Sequence, residues 1–190
     1  MKDFTVIIPC WIINQELLQL TDNAIASLGN VFLIIVDNGS PMGGGFLRDK
    51  ANLYIRNKEN LGYAKAVNQG LKLVKTKYIA ISNNDIRVSS NWQNVTKEIF
   101  ALNEKIYSCH FRMTDYDVPF EYGNQIVVTE KERWCTSSFF VIKSWKPQLY
   151  DENFLNSYED YDYWYKIRSS GWKQVYTNKA SYQHHHSFTQ

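Results

Sequence analysis

Cysteine and proline are scarce, three and four residues in a chain of 190. The cysteines, Cys10, Cys109 and Cys135, are odd in number and widely spaced, with no C-x-x-C pair. That pattern excludes a zinc ribbon, a redox dithiol and a disulfide framework, and predicts reduced thiols. So little proline excludes a proline-rich linker or recognition arm. Charge of one sign is lacking as well: 21 Lys and Arg face 19 Asp and Glu, a formal net charge of +2, with no acidic or basic tail. A nucleic-acid-binding face does not arise from charge so balanced and scattered. No apolar run reaches the ~18 residues needed to span a bilayer, and the opening Met1-Lys-Asp-Phe-Thr-Val-Ile-Ile-Pro9 holds too short an apolar run for a signal peptide. These absences predict a soluble, cytoplasmic protein with no membrane span. Neither G-x-G-x-x-G after the first apolar run nor G-x-x-x-x-G-K-[ST] occurs, which removes the main support for a dinucleotide-binding dehydrogenase or a P-loop enzyme.

What is present suits one domain, 1–190. At 44% hydrophobic residues, a chain of this length buries on the order of 70% of its unfolded surface without staples. Phe4–Pro9, Val31–Val36 and Tyr78–Ser82 are short, β-branched-rich runs without polar alternation, as expected of strands covered on both faces. Between the first two, Leu17, Leu18, Ala24, Ile25 and Leu28 recur at helical spacing across Gln15–Ser27, and Gly29 supplies a stop. A brief strand at Leu53–Ile55 and a helical pattern at Tyr63–Val74 continue the β-α-β alternation through residue 85. The turn-rich stretch 38–45 contains Gly43-Gly44-Gly45, read as a mobile turn rather than a phosphate cradle because no Lys-Ser/Thr follows. Trp92–Leu102 predicts another helix. Gln125–Thr129, Phe139–Lys143 and Lys173–Tyr176 predict short strands around an acidic helix that Glu159 opens and Gly171 stops. The last 57 residues hold fifteen aromatic side chains, which could stack on a sugar but more generally fill a core.

In an open parallel sheet, ligands bind beyond the carboxyl ends of the strands. Those ends carry Pro9-Cys10-Trp11, Asp37-Asn-Gly-Ser40, Asn57 to Gly62 and Asn83-Asn84-Asp85. Asp37 could accept hydrogen bonds from a base or ribose, or merely cap its turn. Asn83, Asn84 and Asp85 offer hard oxygen donors suited to Mg²⁺ or Mn²⁺ on a diphosphate, although the same letters are ordinary turn chemistry. Glu159, Asp160 and Asp162 sit where a helix dipole favours acidic residues. Three in four positions also repel one another, which tends to raise one pKa toward that of a general base. His184-His185-His186 supply imidazoles that could join Asp85 on a divalent metal.

Taken in order, Thr5-Val-Ile-Ile-Pro9, Ile35-Val-Asp-Asn-Gly-Ser40, Asn60-Leu-Gly-Tyr-Ala-Lys-Ala-Val-Asn-Gln-Gly70, Tyr78-Ile-Ala-Ile-Ser-Asn-Asn-Asp85 and Glu159-Asp-Tyr-Asp162 resemble family 2 glycosyltransferases of the GT-A fold. The Asn-Leu-Gly-Tyr-Ala segment looks most like the rhamnosyltransferase-type branch. The resemblance spans residues 4 to about 187. It implies an α/β chain of GT-A type, Rossmann-like, as a single domain with a mixed, mainly parallel central sheet. Residues 1–85 would form the nucleotide-binding half and 86–190 the acceptor and catalytic half. Pro9 and Asp37 would line the nucleotide site, with Asp37 holding the base, and Asn60, Gly62 and Lys65 would lie beside the ribose and diphosphate of a UDP- or dTDP-sugar. Asn83, Asn84 and Asp85 take the place of the D-x-D motif. Because Asn83 replaces its first carboxylate, Asp85 would be the main ligand of Mn²⁺ or Mg²⁺, with His184 or His186 completing the shell.

By the same resemblance Asp160 matches the catalytic Asp of the family's Glu-Asp motif and would take the acceptor hydroxyl's proton, with Glu159 and Asp162 as substitutes. The metal would offset charge on the departing diphosphate. Inversion is implied, and the implied partners are a nucleotide-sugar donor and a glycan or other hydroxyl acceptor, as in polysaccharide biosynthesis. The long C-terminal extension or membrane helices of many relatives do not follow the His cluster. That departure leaves the acceptor open and is compatible with one module of a larger polypeptide. Two other functions compete. A sugar nucleotidyltransferase needs a Gly-rich, Arg/Lys-bearing loop after the first strand, where Cys10-Trp-Ile-Ile13 offers none. A non-catalytic binding module would explain the lapsed D-x-D, but Asp37, Asp85, Asp160 and a C-terminal His are all retained.

Overall fold

The computed structural model describes residues 2–129, 137–145, 147–154 and 157–186, so Cys135 lies outside the described residues. Its first half alternates strands and helices: β1 (Phe4–Cys10), α1 (Gln15–Ser27), β2 (Phe32–Asp37), α2 (Gly44–Lys50), β3 (Leu53–Arg56), α3 (Tyr63–Leu71), β4 (Tyr78–Ser82). There follow β5 (Ile86–Val88), α4 (Trp92–Leu102), β6 (Ile106–Asp115), β7 (Ile126–Thr129), β8 (Phe139–Lys143), α5 (Glu159–Ser169) and β9 (Lys173–His184). One sheet runs through both halves in the order β3-β2-β1-β4-β8-β6-β9-β5, with β7 also on β9. The four strands from β3 to β4 are mutually parallel, and beyond β4 every pairing is antiparallel except β6 with β9.

The apolar runs lack polar alternation because both sheet faces are covered. Along β1, Val6, Ile8 and Cys10 face a layer that includes Leu17 and Leu20 of α1 and Trp92, Val95 and Ile99 of α4. Ile7 faces the other way, toward Ala66 and Val67 of α3 and Trp164 and Ile167 of α5. Each fully buried Val, Leu or Ile among them contributes about 1.5–3 kcal/mol. Helix α1 starts where Asn14 Oδ1 accepts the Leu17 N–H at 2.8 Å, and it ends before Gly29, whose φ is +74°. Helix α3 lies so near β1 that a Cβ on Gly70 would fall 2.6 Å from Ile7 Cγ2. That contact fixes where the N-terminus of α3 points.

Several segments differ from the sequence reading, among them the short strand β5, which was not expected, and α3, which ends at Leu71 rather than Val74. Gly44 and Gly45 form the first turn of α2 rather than a mobile turn, with the crossover bend taken by Gly43 at φ +78°. Strand β6 was hidden because Ser108, His110, Arg112 and Thr114 alternate with apolar residues like a half-exposed strand. Its first six residues are buried, and the Ser108 hydroxyl pairs with His110 Nε2 at 3.0 Å. Strand β9 runs twelve residues, to His184, because register slips at Phe111/Arg112 let it continue past the polar Asn178-Lys179. The aromatic enrichment is largely core: Phe139, Phe140, Tyr150, Tyr163, Trp164 and Tyr182 are buried. Cys10 and Cys109 are unpaired, and among the described residues no helix is long and apolar enough to cross a membrane.

Candidate active site

Successive strands are added outward from β1 to β2 to β3, and the chain then returns to place β4 on the other side of β1. Ligands of open α/β sheets bind at such a reversal, beyond the carboxyl ends. A cavity of about 850 Å³ opens there. Its walls are Pro9, Cys10 and Trp11 after β1, Asn38 after β2, Glu59 to Tyr63 with Lys65 at the start of α3, and Asn83 and Asn84 after β4. Ser137 and Ser138 before β8 and Glu159 and Asp160 of α5 close it. Of the residues expected at a ligand, Pro9, Asn60, Gly62, Lys65, Asn83, Asn84 and Asp160 therefore share one enclosure. Trp11, Asn38, Tyr63, Ser137 and Ser138 join them without having been singled out, the serines with no motif to mark them.

A clamp of neutral amides holds the wall between β3 and α3. Asn38 Nδ2 donates to Asn60 Oδ1 at 2.6 Å and to the Gly62 carbonyl, while Asn38 Oδ1 accepts from Leu61 N and from Asn57 Nδ2. Asn57 and Gln69 exchange two bonds, at 3.0 and 2.9 Å, which ties the loop to α3. The turn after β2 presses against this loop: Gly39 has φ +79°, and a Cβ there would lie 2.6 Å from the Glu59 carbonyl carbon. Glycine is required at that position on both counts. The N–H groups at the start of α3 and the Lys65 side chain bring positive charge to this wall, with the Glu59 carboxylate beside them.

Asp37 lies outside the cavity lining and is fully buried. Its Oδ1 accepts the Ser40 N–H at 2.8 Å, and its Oδ2 accepts from the Tyr54 hydroxyl at 2.5 Å and from Arg56 Nη1. Ser40 Oγ in turn accepts the Ile12 N–H at 2.9 Å. The carboxylate so supports the chain on either side of Asn38 and Trp11. Beside it, burial and then the Asp37 charge push the Cys10 thiol far up, so it stays protonated and is a poor nucleophile.

The α5 wall is different. The chain enters it through Tyr158, a non-glycine residue at φ 67°, a strained setting that places Glu159 and Asp160 at the cavity. Asp160 Oδ2 accepts from Ser137 Oγ at 3.0 Å and Oδ1 from the Tyr161 N–H at 2.8 Å. Glu159 Oε2 is buried and takes no hydrogen bond. Burial raises the Glu159 carboxyl above its ordinary value, a backbone N–H opposes this, and the Asp160 charge adds to the rise. Burial, then Glu159 and Asp160, push the neighbouring Tyr63 phenol up as well. Asp162 does not line the cavity; it pairs with Lys166 one turn on, at 2.7 Å.

Asp85 is buried just beyond Asn84, and the antiparallel pairing of β5 with β9 brings His184 to it. His184 Nε2 lies 3.3 Å from Asp85 Oδ1, is itself buried and makes no hydrogen bond. His186 packs its ring against that of His184, with centroids 4.2 Å apart, but its Nε2 faces Asp115 at 3.9 Å. Among the described residues no group of three or more His, Cys, Asp or Glu side chains is arranged to hold a metal ion. Asp85 and His184 thus lie side by side, a carboxylate and an imidazole of the kinds that bind a divalent cation, but neither is among the residues lining the cavity.

A parallel β3-β2-β1-β4 array extended by antiparallel strands, with a polar cavity over the carboxyl ends, is an α/β architecture of the GT-A fold. The chain belongs to glycosyl transferase family 2, whose sequence pattern matches residues 5–164. No curated protein matches it. Among solved structures it is similar to residues 1–349 of TarS from S. aureus, at 16% identity and a TM-score of 0.73, covering 96% of this chain and 59% of that one. The same TarS fragment in complex with UDP gives 18% identity, a TM-score of 0.73 and the same coverage. The longer crystal structure of TarS gives 16% and 0.72, covering 96% of this chain and 36% of that one. The chain therefore spans about three fifths of the TarS fragment, and at these identities the likeness is one of fold.

Proposed function

We propose that this chain transfers a sugar from a uridine or thymidine diphosphate donor to a hydroxyl of a glycan or similar acceptor, with inversion. The observation that carries the reading is that the Asp160 carboxylate shares one cavity with Lys65 and the N-terminus of α3. A base and positive charge in one enclosure are what such a transfer needs. The UDP bound to a protein of the same fold supports a uridine nucleotide. Rhamnosyl transfer is compatible with the Asn60-Leu-Gly-Tyr-Ala64 segment.

The donor's diphosphate would lie against Lys65 and the α3 N–H groups, and Asn60 and Asn38 would keep that wall in place. Asp160, oriented by Ser137 and the Tyr161 N–H, takes the acceptor hydroxyl's proton as that oxygen bonds to the anomeric carbon. The bond from the anomeric carbon to the phosphate oxygen breaks, and its electron pair leaves with the nucleoside diphosphate. Asp85 and His184 are the residues that would hold Mn²⁺ or Mg²⁺, with His186 beside them and Asn83 and Asn84 near the diphosphate. When bound, that ion supplies positive charge to the leaving group. The test is release of UDP or dTDP from sugar nucleotides on addition of hydroxyl acceptors. Thermal shifts with UDP, dTDP, GDP and CDP, each with and without Mn²⁺, rank the base. Nucleotide-dependent stabilisation without any transfer would favour the non-catalytic binding module instead.

A further inference from the structure

We propose that the end of the sheet opposite the cavity is a docking surface for an anionic lipid bilayer. Charge is balanced over the chain as a whole but not at this end. Lys75 and Lys77 lead into β4, Lys143 closes β8 and Lys105 precedes β6. Lys143 pairs in register with Tyr78, and the Ser144 N–H donates to the Lys77 carbonyl at 3.2 Å. Lys143 Nζ donates to the Glu104 carbonyl at 2.9 Å, which brings Lys105 to the same place. Glu104 and Asp3 stand beside these lysines, and Asp3 already pairs with Lys97 at 2.6 Å. Burial lowers the pKa of the Lys143 ammonium, Glu104 opposes this, and the neighbouring Lys77 charge adds to the fall.

The same end leaves large apolar side chains in solvent. Trp145, just past β8, is 62% exposed, and its ring meets that of Trp172, which leads into β9, edge to face at 5.3 Å. Leu73 and Leu102 are exposed in the segments that carry Lys75 and Lys105. Indole and lysine together suit the headgroup zone of a membrane, where the ring enters the acyl boundary and the ammonium reaches acidic phosphates. A protein or nucleic-acid partner fits less well. The four clustered cations are all Lys, which protein interfaces disfavour, and none is the Arg whose planar fork grips nucleic acid. An ammonium is a point charge that needs no fixed partner, which matches a fluid array of headgroups. Such attachment requires no spanning helix. It would leave the cavity, at the carboxyl ends of β1, β2 and β4, facing away from the bilayer.

Co-sedimentation of the whole chain with vesicles of phosphatidylcholine, alone or with about a third phosphatidylglycerol, tests this at about 0.1 and 1 M salt. Wild type is compared with Lys75→Glu plus Lys77→Glu, with Trp145→Ala, and with Lys58→Glu plus Arg87→Glu, which removes the same charge elsewhere. All of these side chains are exposed, and circular dichroism checks that each variant folds. The expected result is binding to the phosphatidylglycerol vesicles alone, lost at the higher salt. The lysine variant weakens it roughly 30-fold or more and Trp145→Ala roughly three- to tenfold, while the control pair changes it less than about threefold. Failure of wild type to bind the anionic vesicles, or equal binding to neutral ones, overturns the proposal. Full binding by the lysine variant, or an equal loss in the control pair, overturns it too. Soluble poly-glutamate is the remaining arm: if it binds wild type as tightly as the anionic vesicles do, the lipid assignment falls in favour of an acidic protein partner.

Discussion

The end of β2 and the start of α5 both carry acidic residues, and their surroundings differ: Asp37 lies outside the cavity lining, whereas Glu159 and Asp160 are part of it. At β2, Asp37 is buried and accepts from Ser40, Tyr54 and Arg56, so its bonding capacity is directed into the protein. At α5, Glu159 and Asp160 face the cavity, and one of their oxygens has no protein partner. A carboxylate enclosed by three donors of its own chain has no face left toward a ligand, whereas one that lines the cavity has. Residue type and position on the sheet edge do not separate the two; the donors around each carboxyl do.

The sharpest way to break that contrast is Asp160→Asn. Turnover should fall about 10²–10⁴-fold with nucleotide affinity nearly unchanged, read from transfer rates and titration side by side. Normal transfer by this variant, with collapse in Glu159→Gln, would move the base to Glu159. Next comes Asp37→Ala, which strands the Ser40 N–H and the Tyr54 hydroxyl. Urea denaturation should show a loss of roughly 2–4 kcal/mol, below the most for a broken buried pair because Arg56 is partly solvated. Full stability with lost nucleotide binding would instead return Asp37 to the base.

A smaller effect is expected of the histidines. Asp85→Ala should remove metal dependence while sparing metal-free nucleotide binding. His184→Ala should raise the metal concentration for half-maximal activity about tenfold, and His186→Ala should change it little, since its Nε2 faces Asp115. The smallest effect is on stability with pH. The folded chain holds the Glu159 proton more tightly than the unfolded chain. The penalty is absent at pH below the ordinary Glu range and grows as pH rises through the raised value. Glu159→Gln should therefore match wild type in denaturation near pH 4 and exceed it slightly near pH 8.

The parallel half was legible because its strands are apolar on both faces and its helices repeat at 3.6 residues. There the predicted Gln15–Ser27 and Tyr78–Ser82 agree with the structure at both ends, as do Trp92–Leu102 and Phe139–Lys143 beyond it. The other half was less so. Ser108 and His110 look solvent-facing, yet both are buried and bonded to each other, and the length of β9 depends on a bulge that no local pattern announces. At the site, motif order brought Asn60, Lys65, Asn83 and Asp160 to one cavity. It could not reveal that Tyr54 and Arg56, a strand away, occupy the Asp37 carboxylate, because that depends on cross-strand register.

The amide clamp of Asn38, Asn57, Asn60 and Gln69 carries no net charge, and this bears on how ionic strength should act. Dissolved salt screens attraction between exposed charges over about 10 Å at 0.1 M, but has little hold on short bonds between neutral amides. Raising salt should loosen the pull of Lys65 on a diphosphate while leaving the wall that presents it in place. The salt dependence of nucleotide affinity then reports the ligand's charge against those of Lys65, Glu59, Glu159 and Asp160, with the loop between them held in place.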